Sequence, residues 1–248
     1  MRPLRRIVRL ALVVPHVLLG LWWAWRRMPA EPPPRTREQW DLVHRWNRRA
    51  LALVGVRVRV HGRPAEGPTL FVSNHVSWLD IGALSTTIDA AMVGKAELRD
   101  WPVLSVLIVR GGTIFIRRGA RDAASNAAAE MARRLARGDS AAVFPEGTTT
   151  RGGHHMRRFH PRLFEAARAT GAKVQPVALV YDHPAAPFVD DQSFGQHLWR
   201  ILGERLIHVD LHLLEPIETA GRDRRSIARE AETAVRRTVA NQPPSREE

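Results

Sequence analysis

The stretch Phe71-Val72-Ser73-Asn74-His75-Val76-Ser77-Trp78-Leu79-Asp80 places a histidine where an apolar, strand-like run stops, and an aspartate five positions later. An imidazole takes a proton from a hydroxyl near neutral pH, and a carboxylate on its other ring nitrogen fixes the tautomer and steadies the imidazolium as it forms. In a continuous helix, residues five apart point about 140° away from each other. His75 and Asp80 can therefore meet only across a turn, which a strand-to-helix break supplies. Two further stretches carry reactive types. Gly112 to Arg118 (GTIFIRR) ends a strand with two guanidiniums, a fork suited to phosphate, although a solvated basic strand end has the same composition. Val143 to Arg151 (VFPEGTTTR) ends another strand in a turn with an acid, a glycine, three hydroxyls and an arginine. Such a turn offers backbone N–H groups to an anion.

Other candidates read more plainly. Ser77 is placed as a helix-start hydroxyl bonding backbone rather than as a nucleophile. His154, His155 and His160 have no acidic cluster beside them and no zinc-enzyme spacing, so they are loop residues and no metal is expected. With no cysteine in the chain, disulfides, thiolate metal sites and a cysteine acyl-enzyme are excluded together.

The elements that would position these residues alternate. Strands are predicted at Val56 to Val60, Thr69 to Ser73, Ala90 to Val93, Thr113 to Ile116, Ala141 to Phe144, Val174 to Tyr181 and Leu206 to Leu213. Helices are predicted from the His/Asp stretch to about Ile88, around the break at Trp101-Pro102, at Asp122 to Arg137, Pro161 to Thr170, and from Arg224 on. Pro176 lies inside a strand and so belongs at an edge or a bulge. The expectation is an α/β fold, a single mixed sheet flanked by helices, over residues 55–240, with 241–248 as a tail.

Residues 1–54 read differently. Leu10 to Trp25 carries no formal charge, and eleven arginines fall within residues 1–49 against Glu31, Glu38 and Asp41, so +8 of the net +13 lies beside the most apolar segment. As a helix, sixteen residues rise about 24 Å, short of the roughly 30 Å hydrocarbon layer. Trp22, Trp23 and Trp25 suit an interface, and the flanking arginines suit anionic headgroups. The segment is expected to be a retained membrane-associating helical motif, either a tilted span or a helix dipping into one leaflet. Pro29 to Pro34 reads as a stiff linker, and Thr36 with Gln39 as the capping box of a second, amphipathic helix. A nucleic-acid binder would also be basic, but the folded region lacks a basic patch interleaved with aromatics.

In its motifs the chain resembles the glycerolipid acyltransferases typified by 1-acyl-glycerol-3-phosphate acyltransferase. The likeness spans about Val56 to Ile217 and rests on four blocks in order: NHVSWLD, GTIFIRR, FPEGT and the strand bearing Pro176, with Lys95 to Leu98 (KAEL) similar as well. The resemblance implies that His75 is the general base, oriented by Asp80, that Arg118 binds the anionic head of the acceptor, and that Glu146, Gly147 and Thr148 shape that pocket. It implies direct transfer of an acyl group from acyl-CoA or acyl carrier protein to a lysolipid hydroxyl, without metal, cofactor or covalent intermediate, at the cytoplasmic face of the inner membrane. The first acceptor implied is 1-acyl-sn-glycerol-3-phosphate. Where phosphatidic-acid-forming members commonly carry arginine after Glu-Gly-Thr, this chain has Thr149, with Arg151 two positions on; where they often carry aspartate before Arg118, it has Arg117. These departures make another lysolipid, such as lyso-ornithine lipid, the second acceptor.

Overall fold

The computed structural model describes residues 2–28, 35–101, 104–116, 123–189 and 192–241. The linker at 29–34, Arg117, Arg118 and most of the tail lie outside the described residues. In chain order the elements are α1 (Arg2–Arg27), α2 (Arg37–Val54), β1 (Val56–His61), β2 (Thr69–Ser73), α3 (Leu79–Leu84), β3 (Ala90–Lys95), α4 (Leu104–Arg110), β4 (Ile114–Ile116), α5 (Ala123–Ala136), β5 (Ser140–Val143), α6 (Glu165–Thr170), β6 (Lys173–Tyr181), α7 (Phe194–Gly203), β7 (Ile207–Leu213) and α8 (Arg224–Ala240).

The strands form one mixed sheet in the order β1-β7-β6-β2-β5-β3-β4. β6 and β7 pair antiparallel and every other neighbouring pair is parallel. Strands β2 to β6 therefore run one way, with their carboxyl ends on one edge of the sheet, while β1 and β7 run the other way. β2 is buried at all five positions, as expected of a strand covered on both faces. One core gathers Leu70, Val72, Met131, Phe164 and Ile227 beneath α5, α6 and α8; the other gathers Phe71, Leu79, Leu84, Ile201 and Leu211 beneath α2, α3 and α7.

Pro176 is not at an edge, since β6 lies between β7 and β2. A bulge accommodates it. Between the Val174–Ile217 bridge and the Val177–Leu213 pair, residues 214–216 stand opposite 175–176, one residue in excess. The Pro176 carbonyl accepts from Leu214 N–H at 3.0 Å, and the Gln175 amide bonds the carbonyls of Leu214 and Arg63, both at 2.9 Å. The missing proline N–H thus costs the sheet no ladder bond.

The expected second helix begins with its capping box, the Thr36 side chain accepting from Gln39 N–H and the Gln39 side chain from Thr36 N–H. α1 is longer than its charge-free stretch: Pro15 does not stop it, and its 26 residues rise about 39 Å. It is long and apolar enough to cross a membrane. Yet one side of it packs along the domain. Gly20 lies against Trp46 so closely that a Cβ there would be 2.4 Å from the indole nitrogen. Arg5 and Arg9, read from sequence as headgroup contacts, turn inward instead. Arg5 donates to the Gly203 carbonyl at 2.7 Å, and Arg9 reaches the carbonyls of Val54, Leu202, Glu204 and Arg205. Those of Val54, Leu202 and Gly203 are carbonyls that the ends of α2 and α7 leave without helical partners. At the other end of α1, Arg110 of α4 donates to the Met28 carbonyl. The opposite face exposes Leu4, Ile7, Val8, Leu12, Leu18, Leu19, Trp22 and Trp25, which fits membrane association.

Candidate active site

The site is assembled at the carboxyl edge of the parallel strands, where crevices form in open α/β sheets. β2 ends at Ser73, and the following Asn74 replaces a strand residue with its side chain: its amide donates to the Leu179 carbonyl at 2.9 Å and accepts from Leu179 N–H at 2.8 Å. This clamp to β6 fixes the main chain just before His75. The loop 74–78 then turns back through Asp80, whose Oδ2 accepts from the N–H groups of Val76 at 2.6 Å and Ser77 at 2.9 Å. That turn brings His75 Nδ1 to 2.8 Å from the same Oδ2, so the pair meets across the strand-to-helix break, as five-residue spacing requires.

Asp80 is fully buried, whereas the His75 side chain keeps 14% of its exposure. With Nδ1 held by the carboxylate, Nε2 is the ring nitrogen left to receive a proton. The ring itself lies on Phe144, centroids 4.0 Å apart and planes within 13°, so the imidazole cannot swing away without losing that stack.

The turn after β5 braces the loop from below. Glu146, 2% exposed, accepts His75 N–H through Oε1 at 2.8 Å and Arg157 N–H through Oε2 at 2.7 Å, with the Thr150 hydroxyl at 3.3 Å. Burial pushes the Glu146 carboxyl up, against the pull of these hydrogen bonds. Thr150 N–H donates to the His75 carbonyl at 2.8 Å, closing the brace from the other side. Gly147 adopts φ +75°, a left-handed conformation that lets the turn reverse after Glu146. Thr148 is half-buried beside it and Arg151 is exposed just past Thr150. The N–H groups of Gly147 and Thr150 are already spent on the carbonyls of Phe144 and His75, so the turn has fewer donors for an anion than its composition implied. Arg118 lies outside the described residues.

Three features escaped the sequence reading. Tyr181, at the end of β6, donates its hydroxyl to Asp80 Oδ1 at 2.6 Å, and burial together with the Asp80 charge pushes the phenol well above its ordinary 10. The helix α7 was missed although Ser193 and Gln196 form a second capping box. Its His197, kept neutral by burial and by nearby Arg200, accepts from Trp78 Nε1 at 2.8 Å and anchors the start of α3. Third, His61, Asp210 and His212 form the one group among the described residues that could hold a metal ion. Both Asp210 oxygens are already engaged, by Arg59 and His61 at 2.7 Å each. The trio sits on β1 and β7, with His212 level with Ala178 and Asp210 with Val180 of β6, so that β6 stands between it and β2.

The expected role of Ser77 needs correction. It is its N–H that bonds, to Asp80; its Oγ is buried without a partner and makes no hydrogen bond to His75. Nothing therefore activates it as a nucleophile. His154 and His155 form a short 3-10 turn with Gly153, in keeping with a loop role.

A family model described as Acyltransferase matches residues 57–180. The chain is 39% identical over 246 residues to the lyso-ornithine lipid O-acyltransferase of Pseudomonas aeruginosa, covering 95% of this chain and 94% of that protein. It is 33% identical over 219 residues to the 1-acyl-sn-glycerol-3-phosphate acyltransferase of Neisseria meningitidis, covering 85% and 84%. The crystal structure of the 1-acyl-sn-glycerophosphate acyltransferase of Thermotoga maritima superposes with a TM-score of 0.67 over 96% of both chains, at 22% identity, a likeness of fold. A model match across half the sequence and relatives matched along nearly their whole length leave one conclusion: the protein belongs to the acyltransferase family.

Proposed function

We propose that the protein transfers a fatty acyl group from acyl-CoA or acyl carrier protein to the hydroxyl of a lyso-ornithine lipid, with His75 as general base. The observation that carries the chemistry is the His75 ring, bound through Nδ1 to a buried carboxylate and bare at Nε2. Nε2 takes the acceptor's proton as its oxygen attacks the thioester carbonyl. The carbon–sulfur bond then breaks and the thiolate leaves with that proton. Neither metal nor cofactor enters this reading, and the unpartnered Ser77 hydroxyl supports direct transfer over a covalent intermediate.

Two observations support the acceptor. Three relatives that share 33–39% identity with this chain, from Pseudomonas, Brucella and Rhizobium, are named for lyso-ornithine lipid. In addition, the position after Glu-Gly-Thr is a threonine whose hydroxyl donates to the Phe188 carbonyl, not a cation aimed at a phosphate. The 1-acyl-sn-glycerol-3-phosphate reading is favoured by the Neisseria relatives and by the basic residues Arg118 and Arg151 of the second and third blocks. The membrane is approached through α1, and the active site faces the cytoplasm at the inner membrane, where both thioester donors are found.

The test is acyl transfer by purified protein from labelled acyl-CoA, with lyso-ornithine lipid and lysophosphatidic acid offered in parallel. Transfer to the ornithine lipid is expected; transfer confined to lysophosphatidic acid would overturn the acceptor, and transfer to neither would overturn the lysolipid class.

A further inference from the structure

Asp80 is fully buried, and among the described residues the hydrogen bonds that meet its charge come from four neutral donors. Three of them, the Nδ1–H of His75 and the N–H groups of Val76 and Ser77, converge on Oδ2. The fourth stands alone on Oδ1: the hydroxyl of Tyr181, at 2.6 Å. A carboxylate crowded on one oxygen and empty on the other can turn about its Cβ–Cγ bond or tilt out of the imidazole plane. A short bond on the second oxygen, from a strand held by ladders on both sides, removes that freedom.

We propose that Tyr181 is a positioning residue of the acyl-transfer site: its hydroxyl fixes Oδ1 of Asp80, so that Oδ2 holds His75 with Nδ1 protonated and Nε2 bare. The assignment rests on the reading of His75 as the base. Its route is the carboxylate: among the described residues, the hydrogen bond of its hydroxyl goes to Asp80 and not to the imidazole.

The charged neighbours of Tyr181 point elsewhere. Asp182 pairs with His208 of β7 at 2.7 Å, and His183 faces Glu204 at 3.7 Å. Glu146 binds the His75 main chain and contributes nothing to Oδ1. The phenol is therefore coupled to one ionised group, Asp80, whose charge and hydrogen bond both hold its proton in place.

Tyr181 is the only tyrosine in the sequence, so phenolate absorbance reports on it alone. Two measurements test the proposal. In the first, wild type and Asp80→Asn are titrated with alkali while phenolate absorbance is followed. Ionisation is expected at lower pH in Asp80→Asn, because both the charge and the hydrogen bond are weakened; an unmoved titration would overturn the contact. This needs no acceptor lipid, so it stands or falls apart from the proposed reaction.

In the second, Tyr181→Phe keeps the ring and loses the hydroxyl. Its kcat is expected to fall about tenfold, the worth of one hydrogen bond to a charged group, with KM within about twofold. In an Asp80→Asn background the same substitution is expected to cost no further activity, since its route is gone. An unchanged kcat, or an equal additional loss without the carboxylate, would overturn the positioning role. If Tyr181→Phe fails to fold, the alkaline titration decides alone.

Discussion

The Glu146 carboxylate accepts the backbone N–H of His75 at 2.8 Å. The acid of the FPEGT turn thus holds the main chain of the proposed base, and its other oxygen is taken by Arg157 N–H and the Thr150 hydroxyl. From the motif alone this residue reads as a wall of the acceptor pocket. Its hydrogen bonds make it a brace joining the β2 and β5 loops, which explains why an acid is buried beside the reaction site.

Replacing Glu146 by glutamine converts one accepting oxygen into a donor that must face an N–H. The expected cost is about 1–3 kcal/mol of stability, with a loss of activity as the His75 loop loosens. The pH dependence follows from burial. The folded carboxyl is raised above its ordinary 4.5, so the native state binds more proton than the unfolded chain. Its contribution to stability is fully present below the ordinary value and is lost as pH rises through the raised one. The melting temperature of wild type is therefore expected to fall relative to Glu146→Gln as pH increases from about 4, where unfolded carboxylates begin to titrate. Parallel melting curves across pH would contradict the raised carboxyl.

Removing the base itself gives the cleanest activity test. His75→Ala is expected to lower kcat by about 10²- to 10⁴-fold, the range for a positioned acid or base. Vesicle binding should stay as in wild type, since α1 is untouched. Full activity in this variant would remove His75 from the mechanism.

Much of this arrangement was legible before any coordinates, and what was not has definite causes. Each of the seven strands was marked by an apolar run or alternation, and the His75–Asp80 contact by a spacing that only a turn can close. Tyr181 was invisible because its partner lies 101 residues away, and a tyrosine ending an apolar strand carries no mark of what it meets. The inward turn of Arg5 and Arg9 was equally hidden. A basic flank beside an apolar helix fits headgroups and unpaired helix-end carbonyls alike, and only the fold brings Val54 and Gly203 to the same helix. α7 is different, for its capping box stood in the sequence at Ser193 and Gln196.

Position 149 tests how the headgroup is read. The Thr149 hydroxyl ties the turn after β5 to the Phe188 carbonyl, and Phe188 N–H in turn donates to the Val76 carbonyl of the His75 loop, so the segment before α7 is held to both. An arginine here would place a phosphate fork at the position directly after Glu-Gly-Thr. Thr149→Arg is expected to raise transfer to lysophosphatidic acid relative to lyso-ornithine lipid by about tenfold, the worth of one charge-assisted hydrogen bond. The check is competition between the two acceptors in one vessel. An unmoved ratio would mean that the headgroup is not read at this position.

How α1 meets the membrane follows from what holds its two ends. Near its start Arg5 and Arg9 bind the carbonyls that close α2 and α7, and near its end Ala24 and Met28 accept from Arg110 of α4. Both ends are thus tied to the same folded domain, and a helix so tied cannot carry one end across a bilayer. Its bare apolar face, from Leu4 to Trp25, is expected to lie in one leaflet with the helix axis along the surface. The chain has no cysteine, so single thiols can be introduced without background. In Arg2→Cys and Arg27→Cys, at the two exposed polar ends of the helix, a membrane-impermeant thiol reagent is expected to label both positions from the same side of sealed vesicles and neither from the other. Labelling from opposite sides would establish a span and require the arginine contacts to break in the membrane. A companion variant, Gly20→Leu, forces a side chain into the Trp46 indole and is expected to lower the melting temperature. Leu12→Glu, on the bare face, is expected to weaken vesicle binding and leave stability within about 0.5 kcal/mol.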